Sequence, residues 1–415
     1  MEEIIDIPSY FLCPISLEIC KDPVTLSTGI TYDRENIEKW LYTIKKNTCP
    51  ITKQVLIDTE LTPNHTLRRL IQAWCTLNAS KGIERIPTPK PPVDKAQIMK
   101  LISNAKIPRL QIISLRRLKS LAAENDRNKK CIESTNGAIE FLVSLVKQNN
   151  DDDAKTMNLM QDGAESTSAS DEALGLLYNL QISQDGLKTL MGKNGEFIES
   201  LMQILTNGNY QARAYAVLLL KPLLEMADPI RLISLKSEFF VEIVKVLRDQ
   251  ISHPARKAAL QILIEICPWG RNRVKAVDAG AVPILIELLL AKSEKRETEM
   301  IMVVLDQLCG CAEGRADLLK HGAGIAVVSK KILRVSQLAS ERAVRILYSL
   351  SKFSATSSVL QEMMQVGVVS KLCLVLQVEC TLKTKEKAKE ILKLHSRVWK
   401  NSHCIPPFLL SSYPC

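Results

Sequence analysis

Ala259-Leu260-Gln261-Ile262-Leu263-Ile264-Glu265-Ile266 begins with a small residue and then places apolar side chains at +3, +4 and +7. That spacing paints one stripe along a helix of 3.6 residues per turn. The template returns at Ala173 (Leu176, Leu177, Leu180), Ala216 (Leu219, Leu220, Leu223), Ile301 (Val304, Leu305, Leu308) and Ala343 (Ile346, Leu347, Leu350). Weaker copies start at Ser114 (Leu118, Leu121) and Ala388 (Ile391, Leu392). From Ser114 onward the anchors lie 59, 43, 43, 42, 42 and 45 residues apart. A second marker, a glycine or polar break before an apolar run, keeps the same beat at Gly137, Gly195, Ser237, Gly280, Gly322 and Gly367. An irregular helical bundle would not keep such a period.

A period of about 40–47 residues with two or three helices per unit is that of an armadillo or HEAT array. Such units stack and curve into an extended concave surface, which predicts binding of proteins or peptides. The one long interval holds 148–170, an acidic, serine-rich stretch about 16 residues beyond the repeat length. Its composition cannot bury a core, so a mobile insertion loop is expected there.

The 415 residues are 46% apolar, 24% charged and 5% aromatic, which excludes a mostly disordered chain. The longest apolar-looking stretch, Ala279 to Ala291, is 13 residues and contains Glu287. A membrane span needs about 18, so no transmembrane segment is expected. Met1-Glu2-Glu3 carries no export signal. The twelve cysteines form no C-x-x-C pair, and reduced thiols in the cytoplasm are expected, with a nuclear or peripheral-membrane location left open. Net charge is +10, yet residues 1–75 sum to −2 and the remainder to +12. A basic body suits acidic partners, a membrane surface or plain solubility. No run of five basic residues and no aromatic-plus-basic stacking motif appears, so nucleic acid is not an expected partner. The five histidines are scattered, and the array shows no phosphate loop or nucleophile elbow. Any chemistry belongs to the N-terminal part.

The chain divides into a module at 1–77, a linker at 78–95, the array at 96–400 and a tail at 401–415. Pro87, Pro89, Pro91 and Pro92 favour an extended, stiff linker. In the module, Cys13-Pro14-Ile15-Ser16 and Cys49-Pro50-Ile51-Thr52 each look like half of a zinc site whose second cysteine has become a hydroxyl. Zinc needs about four thiolate or imidazole ligands, and Cys13, Cys20, Cys49, Cys75 and His65 match no zinc spacing. Hydrogen bonds and ion pairs among Ser16, Glu18, Asp22, Asp33, Arg34, Lys39, Lys45 and Thr52 are expected to hold the loops instead. Val24–Tyr32 reads as a hairpin turning near Gly29. Asp33 is the expected N-cap of a helix from Arg34 to Ile44 that buries Ile37, Leu41 and Ile44 and leaves Trp40 at the stripe's edge. Pro63-Asn64 opens a second helix with Leu67, Leu70, Ile71 and Trp74 on one face.

These residues carry a resemblance. Tyr10 to Ser16, Lys21-Asp22-Pro23-Val24, Gly29 to Arg34, Ile37 to Trp40, Cys49 to Lys53 and Leu61 to Arg68 follow, in order, the pattern of the U-box, the zinc-free relative of the RING. A U-box followed by an armadillo array resembles the plant U-box/armadillo E3 ubiquitin ligases. With the U-box at the start, it resembles their stress- and immunity-associated subgroup. The resemblance implies a mainly α chain: a small α+β U-box, then a right-handed armadillo solenoid of about six to seven repeats. It implies a ligase with no covalent ubiquitin intermediate and no metal or other cofactor. The U-box recruits a ubiquitin-conjugating enzyme charged with ubiquitin, and the array groove selects protein substrates for degradation. Ile15, Leu17, Trp40 and Pro50 are the implied contacts for the conjugating enzyme. Lys53 stands where the family often has an arginine that bridges both partners, and lysine lacks that planar fork. Cys13, Pro14, Asp22, Pro23, Gly29, Tyr32, Asp33, Arg34 and Cys49 are the implied structural residues. Two Ser/Thr-Pro dipeptides, at Thr62 and Thr88, are candidate phosphorylation sites; a phosphate on Thr62 could alter docking or self-association of the U-box. The competing readings are a non-catalytic armadillo scaffold and a membrane-surface adaptor.

Overall fold

A computed structural model describes residues 7–44, 46–56, 58–79, 83–84, 93–152, 168–191, 195–291 and 294–399. The chain forms two units, Met1–Pro92 and Val93–Cys415. Lys45, the four linker prolines with Thr88, the centre of the insertion and the tail lie outside the described residues.

In the first unit, β1 (Pro23–Thr25), β2 (Thr31–Asp33) and β3 (Thr62–Pro63) form an antiparallel sheet in the order β2-β1-β3. Val24 pairs with Tyr32, and the hairpin turns where expected, with Gly29 at φ +78°. The helix expected over Arg34–Ile44 is broken. Helix α1 (Arg34–Glu38) passes at Lys39 into a π-helical turn that runs to Thr43, and Ile44 N–H donates to Lys39 O at 2.9 Å. One wider turn rotates everything after it. Ile37 and Leu41 are therefore buried, whereas Ile44 is 56% exposed. Asp33 precedes α1, but its side chain does not cap it. The carboxylate faces the other way and accepts from the backbone N–H groups of Lys21 and Asp22, each at 2.8 Å. Helix α2 (His65–Leu77) is capped by Asn64, whose side chain accepts from Leu67 N–H at 3.0 Å. Its buried line is Ile71 and Cys75, flanked by half-buried Leu67 and Trp74. Leu70, expected on that line, is 52% exposed.

The second unit is a stack of three-helix repeats. Every anchor falls on a helix: Pro108–Glu124, Ala169–Asn179, Tyr210–Glu225, His253–Ile266, Lys295–Leu308, Gln337–Phe353 and Leu382–Leu394. Each of these seven packs on the next. A parallel set, Ala138–Asp152, Glu196–Asn207, Ser237–Asp249, Ala281–Leu290, Gly324–Lys331 and Val368–Gln377, begins at or just after the break residues. A short helix precedes each of that set, from Asp126–Glu133 to Ser357–Gln365. Gly195, Gly280 and Gly367 sit at φ between +71° and +82° where the short helix turns into the next one, a conformation that disfavours side chains with a Cβ. Gly322 departs from this pattern: its helix starts only at Gly324. The insertion is shorter than 148–170, because helix runs on through Asp152 and resumes at Ala169, where the Ser168 side chain accepts from Asp171 N–H at 3.1 Å. The stripes predicted from the template are the core: Leu176, Leu220, Leu263, Leu305 and Leu347 are all fully buried.

Candidate functional site

The two Cys-Pro-Ile-hydroxyl motifs fold into the same loop twice. Leu12 bridges Ile19, and Thr48 bridges Val55. In the first loop Cys13 N–H donates to Glu18 O (2.8 Å) and Leu17 N–H to Cys13 O (2.8 Å). In the second, Cys49 N–H donates to Gln54 O (2.9 Å) and Lys53 N–H to Cys49 O (3.0 Å). The hydroxyls repeat as well: Ser16 Oγ accepts from Glu18 N–H at 3.4 Å, and Thr52 Oγ1 from Gln54 N–H at 3.5 Å. Closing so tight a loop forces one residue into the left-handed region. Leu17 at φ +60° and Lys53 at φ +59° take that place, although neither is a glycine.

Both thiols point into the core and are fully buried. Cys13 Sγ accepts from Asp33 N–H at 3.3 Å and from the Asn36 amide at 3.7 Å. Cys49 Sγ lies 3.1 Å from the Tyr32 hydroxyl and 3.5 Å from Thr28 Oγ1. Burial pushes the Cys49 thiol up, but the hydroxyls of Thr28, Thr52 and Tyr32 outweigh it and bring it down to about 6. Burial likewise opposes a lowered Cys13, where the backbone N–H groups of Asp33, Ser16 and Ile15 win. Burial pushes Cys20 up to about 12. Neither Cys13 nor Cys49 has the exposure of a nucleophile or a base beside it. Among the described residues no group of three or more His, Cys, Asp or Glu is placed to hold a metal ion.

Ion pairs and one helix tie the loops together. Asp22 receives Arg34 at 2.6 Å and Arg68 at 3.4 Å, joining the first loop's exit to α1 and α2. Arg34 also reaches Glu38 at 3.7 Å. Lys39, expected in this network, pairs with exposed Glu35 one turn earlier (2.6 Å). Asn36 Nδ2 donates to Ser16 Oγ at 3.1 Å, and the Trp40 indole N–H donates to Thr48 O at 2.7 Å. Asn36 and Trp40 stand four residues apart on one helical face, one gripping each loop. Sequence reading missed Asn36 and Thr28, whose roles depend on partners 20 or more residues away.

The outer surface carries the residues singled out as contacts. Ile15 is 37% and Leu17 74% exposed on the first loop. Half-buried Pro50 and exposed Lys53 stand on the second. Lys53 Nζ lies 5.9 Å from the Trp40 ring centroid, so the structure brings these two together. Ile51, the second loop's counterpart of Ile15, is also exposed and was not singled out. Pro14 is half-buried and Pro23 buried, framing the first loop and β1. Thr62 is exposed in β3.

Residues 7–80 match the U-box domain, and residues 97–415 match the plant U-box protein ARM repeat region. The chain belongs to the plant U-box/armadillo E3 ubiquitin ligases. It is 56% identical to the E3 ubiquitin-protein ligase PUB22 of Arabidopsis thaliana, covering all of both chains. It is 57% identical to PUB23 of the same plant, over all of this chain and 99% of that one. Among solved structures, one titled for a phosphorylation switch in the cadherin–β-catenin interaction superposes with a TM-score of 0.57 at 15% identity, over 82% of this chain and 58% of that one. That likeness shows the armadillo fold. As a U-box/armadillo E3, the chain works with a conjugating enzyme and ubiquitin. No single helix among the described residues is long and apolar enough to cross a membrane.

Proposed function

We propose that the twin loops dock a ubiquitin-charged conjugating enzyme through Ile15, Leu17, Trp40 and Pro50, and that Lys53 steadies the charged complex. The observation that carries this reading is the paired left-handed loop tips, which hold apolar side chains out of a rigid, hydrogen-bonded frame. An exposed apolar patch on such a frame suits a protein interface. The acyl group passes from the conjugating enzyme's thioester to a substrate lysine amine, and its thiolate leaves. This chain supplies position rather than a nucleophile. Hydroxyls and carboxylates replace zinc, and no cofactor takes part. The armadillo array selects substrates for degradation in stress or immune signalling, from the cytoplasm. Thr62, exposed beside α2, is a site for proline-directed phosphorylation.

The test is self-ubiquitination with activating enzyme, a panel of conjugating enzymes, ubiquitin and ATP. The protein is pre-treated with EDTA, which is then removed so that magnesium remains for ATP. Ladders should survive that treatment and fall by at least about tenfold with Ile15→Ala. Ladders unchanged in Ile15→Ala would refute the docking patch.

A further inference from the structure

The anchor helices meet in one register. The residue five after an anchor touches the residue one before the next anchor. Lys119 Nζ thus lies 3.0 Å from Glu172 Oε2, and Arg342 Nη1 lies 3.0 Å from Asp306 Oδ2. At the same step, Tyr178 and Tyr215 stand with ring centroids 5.4 Å apart, and Lys387 Nζ lies 4.3 Å from the Tyr348 centroid. In the ion-paired steps a carboxylate sits between two cations, Glu172 between Arg116 and Lys119 and Asp306 between Arg342 and Arg345, and the tyrosines cover each other. The last step is different. Lys352 Nζ stands 5.4 Å from the Tyr348 ring and 5.5 Å from the Phe353 ring, and the Arg315 guanidinium 5.0 Å from Phe353.

Three cations therefore gather over two rings, and Phe353 is 62% exposed. Elsewhere in the array cations reach carboxylates of the next repeat: Arg213 reaches Asp249 at 2.8 Å, and Arg256 reaches Glu297. Among the described residues, Arg315, Lys352 and Lys387 make no ion pair with a carboxylate. Asp306, on the preceding anchor helix, is already shared by Arg342 and by Arg345 at 2.8 Å. Cation–ring contacts hold ammonium groups in place without cancelling their charge. The rings add an apolar platform of the kind that anchors an interface.

We propose that this cluster, where the Gln337–Phe353 and Leu382–Leu394 helices meet, docks an acidic peptide segment of a protein substrate. The proposal rests on the reading that the array selects substrates. Carboxylates of the segment pair with Lys352 and Lys387, and its apolar groups lie on Tyr348 and Phe353. The +12 charge outside residues 1–75 speeds the encounter.

The experiment is fluorescence anisotropy of the full-length protein with a fluorescein-labelled peptide of alternating glutamate and glycine carrying one tyrosine. A glutamine-for-glutamate peptide is the control. The variants are Lys352→Glu with Lys387→Glu, Phe353→Ala, and Lys221→Glu as an off-site reversal on the same face. Circular dichroism melts confirm each fold. The acidic peptide should bind and the control should not. The double reversal should weaken binding by about tenfold or more, Phe353→Ala by about threefold, and Lys221→Glu little. Equal binding by wild type and double reversal, or none by the wild type, would overturn the proposal. Vesicles of phosphatidylserine that bind through the same lysines while the peptide does not would overturn it in favour of a membrane surface. Self-ubiquitination on the same samples reports the U-box separately. Loss of that activity in the wild type would count against the docking patch and leave the peptide result standing.

Discussion

The loops at Leu12–Cys20 and Thr48–Leu56 share a backbone but not a way of holding their buried sulfur. Cys13 takes a backbone N–H and an amide, both from the residues around the start of α1. Cys49 takes hydroxyls from Tyr32 and Thr28 on the hairpin. The first thiol is thus anchored to the helix and the second to the sheet. Sheet and helix are in turn adjacent, since Tyr32 and Asn36 flank one junction. Two loops can be locked in one geometry when each leans on a different neighbour. Tyr32 matters most in this scheme, because its hydroxyl also accepts from Ile51 N–H at 3.3 Å while its ring is fully buried.

Five measurements would break or sharpen that comparison. Tyr32→Ala should cost about 3–5 kcal/mol and unfold the U-box well before the array, visible as an early transition in calorimetry of the full chain. Tyr32→Phe keeps the ring and strands the second loop's partners, costing about 1–3 kcal/mol. Its first-loop counterpart, Asn36→Ala, should cost about 1 kcal/mol, and a larger loss there would reverse the ranking of the loops. The thiols should differ in pH response. Cys49 sits near 6 instead of its ordinary 9.0, so its thiolate favours the folded form. That contribution is complete above pH 9 and is lost as pH falls through 6. The U-box transition should therefore fall from pH 9 to pH 6, and Cys49→Ser should flatten the curve more than Cys13→Ser does. The smallest effect is on the loop tips. Leu17→Gly and Lys53→Gly should each stabilise the U-box by about 0.5–1 kcal/mol, because glycine relieves the left-handed backbone. Both should weaken ubiquitin ladders, so stability and activity would move in opposite directions. Ladders unchanged in both would mean that the tips shape the loops without touching a partner.

Much of this was legible in the chain. The anchors at Ala173, Ala216, Ala259, Ile301 and Ala343 all lie on buried faces of consecutive helices, because a period near 42 records one supersecondary unit copied many times. The hairpin turning at Gly29 and the helix opening at Pro63-Asn64 were readable from local turn and helix-start chemistry. Errors arose where a residue answers to something distant. Ile44 left the buried stripe because a π-helical turn intervened, and Asp33 turned its carboxylate to Lys21 and Asp22 instead of to its own helix.

The sequence alone determined the repeat, the module order and the twin Cys-Pro-Ile motifs, since each is a local pattern of residue types. Only the tertiary structure decided which side chains pair. It set Cys49 against Tyr32, Trp40 against the second loop, and Lys387 over Tyr348, across 17, 8 and 39 residues of chain respectively. Those partners meet because burying apolar stripes brings their elements together, and the stripes carry no record of which polar groups will face one another when they do.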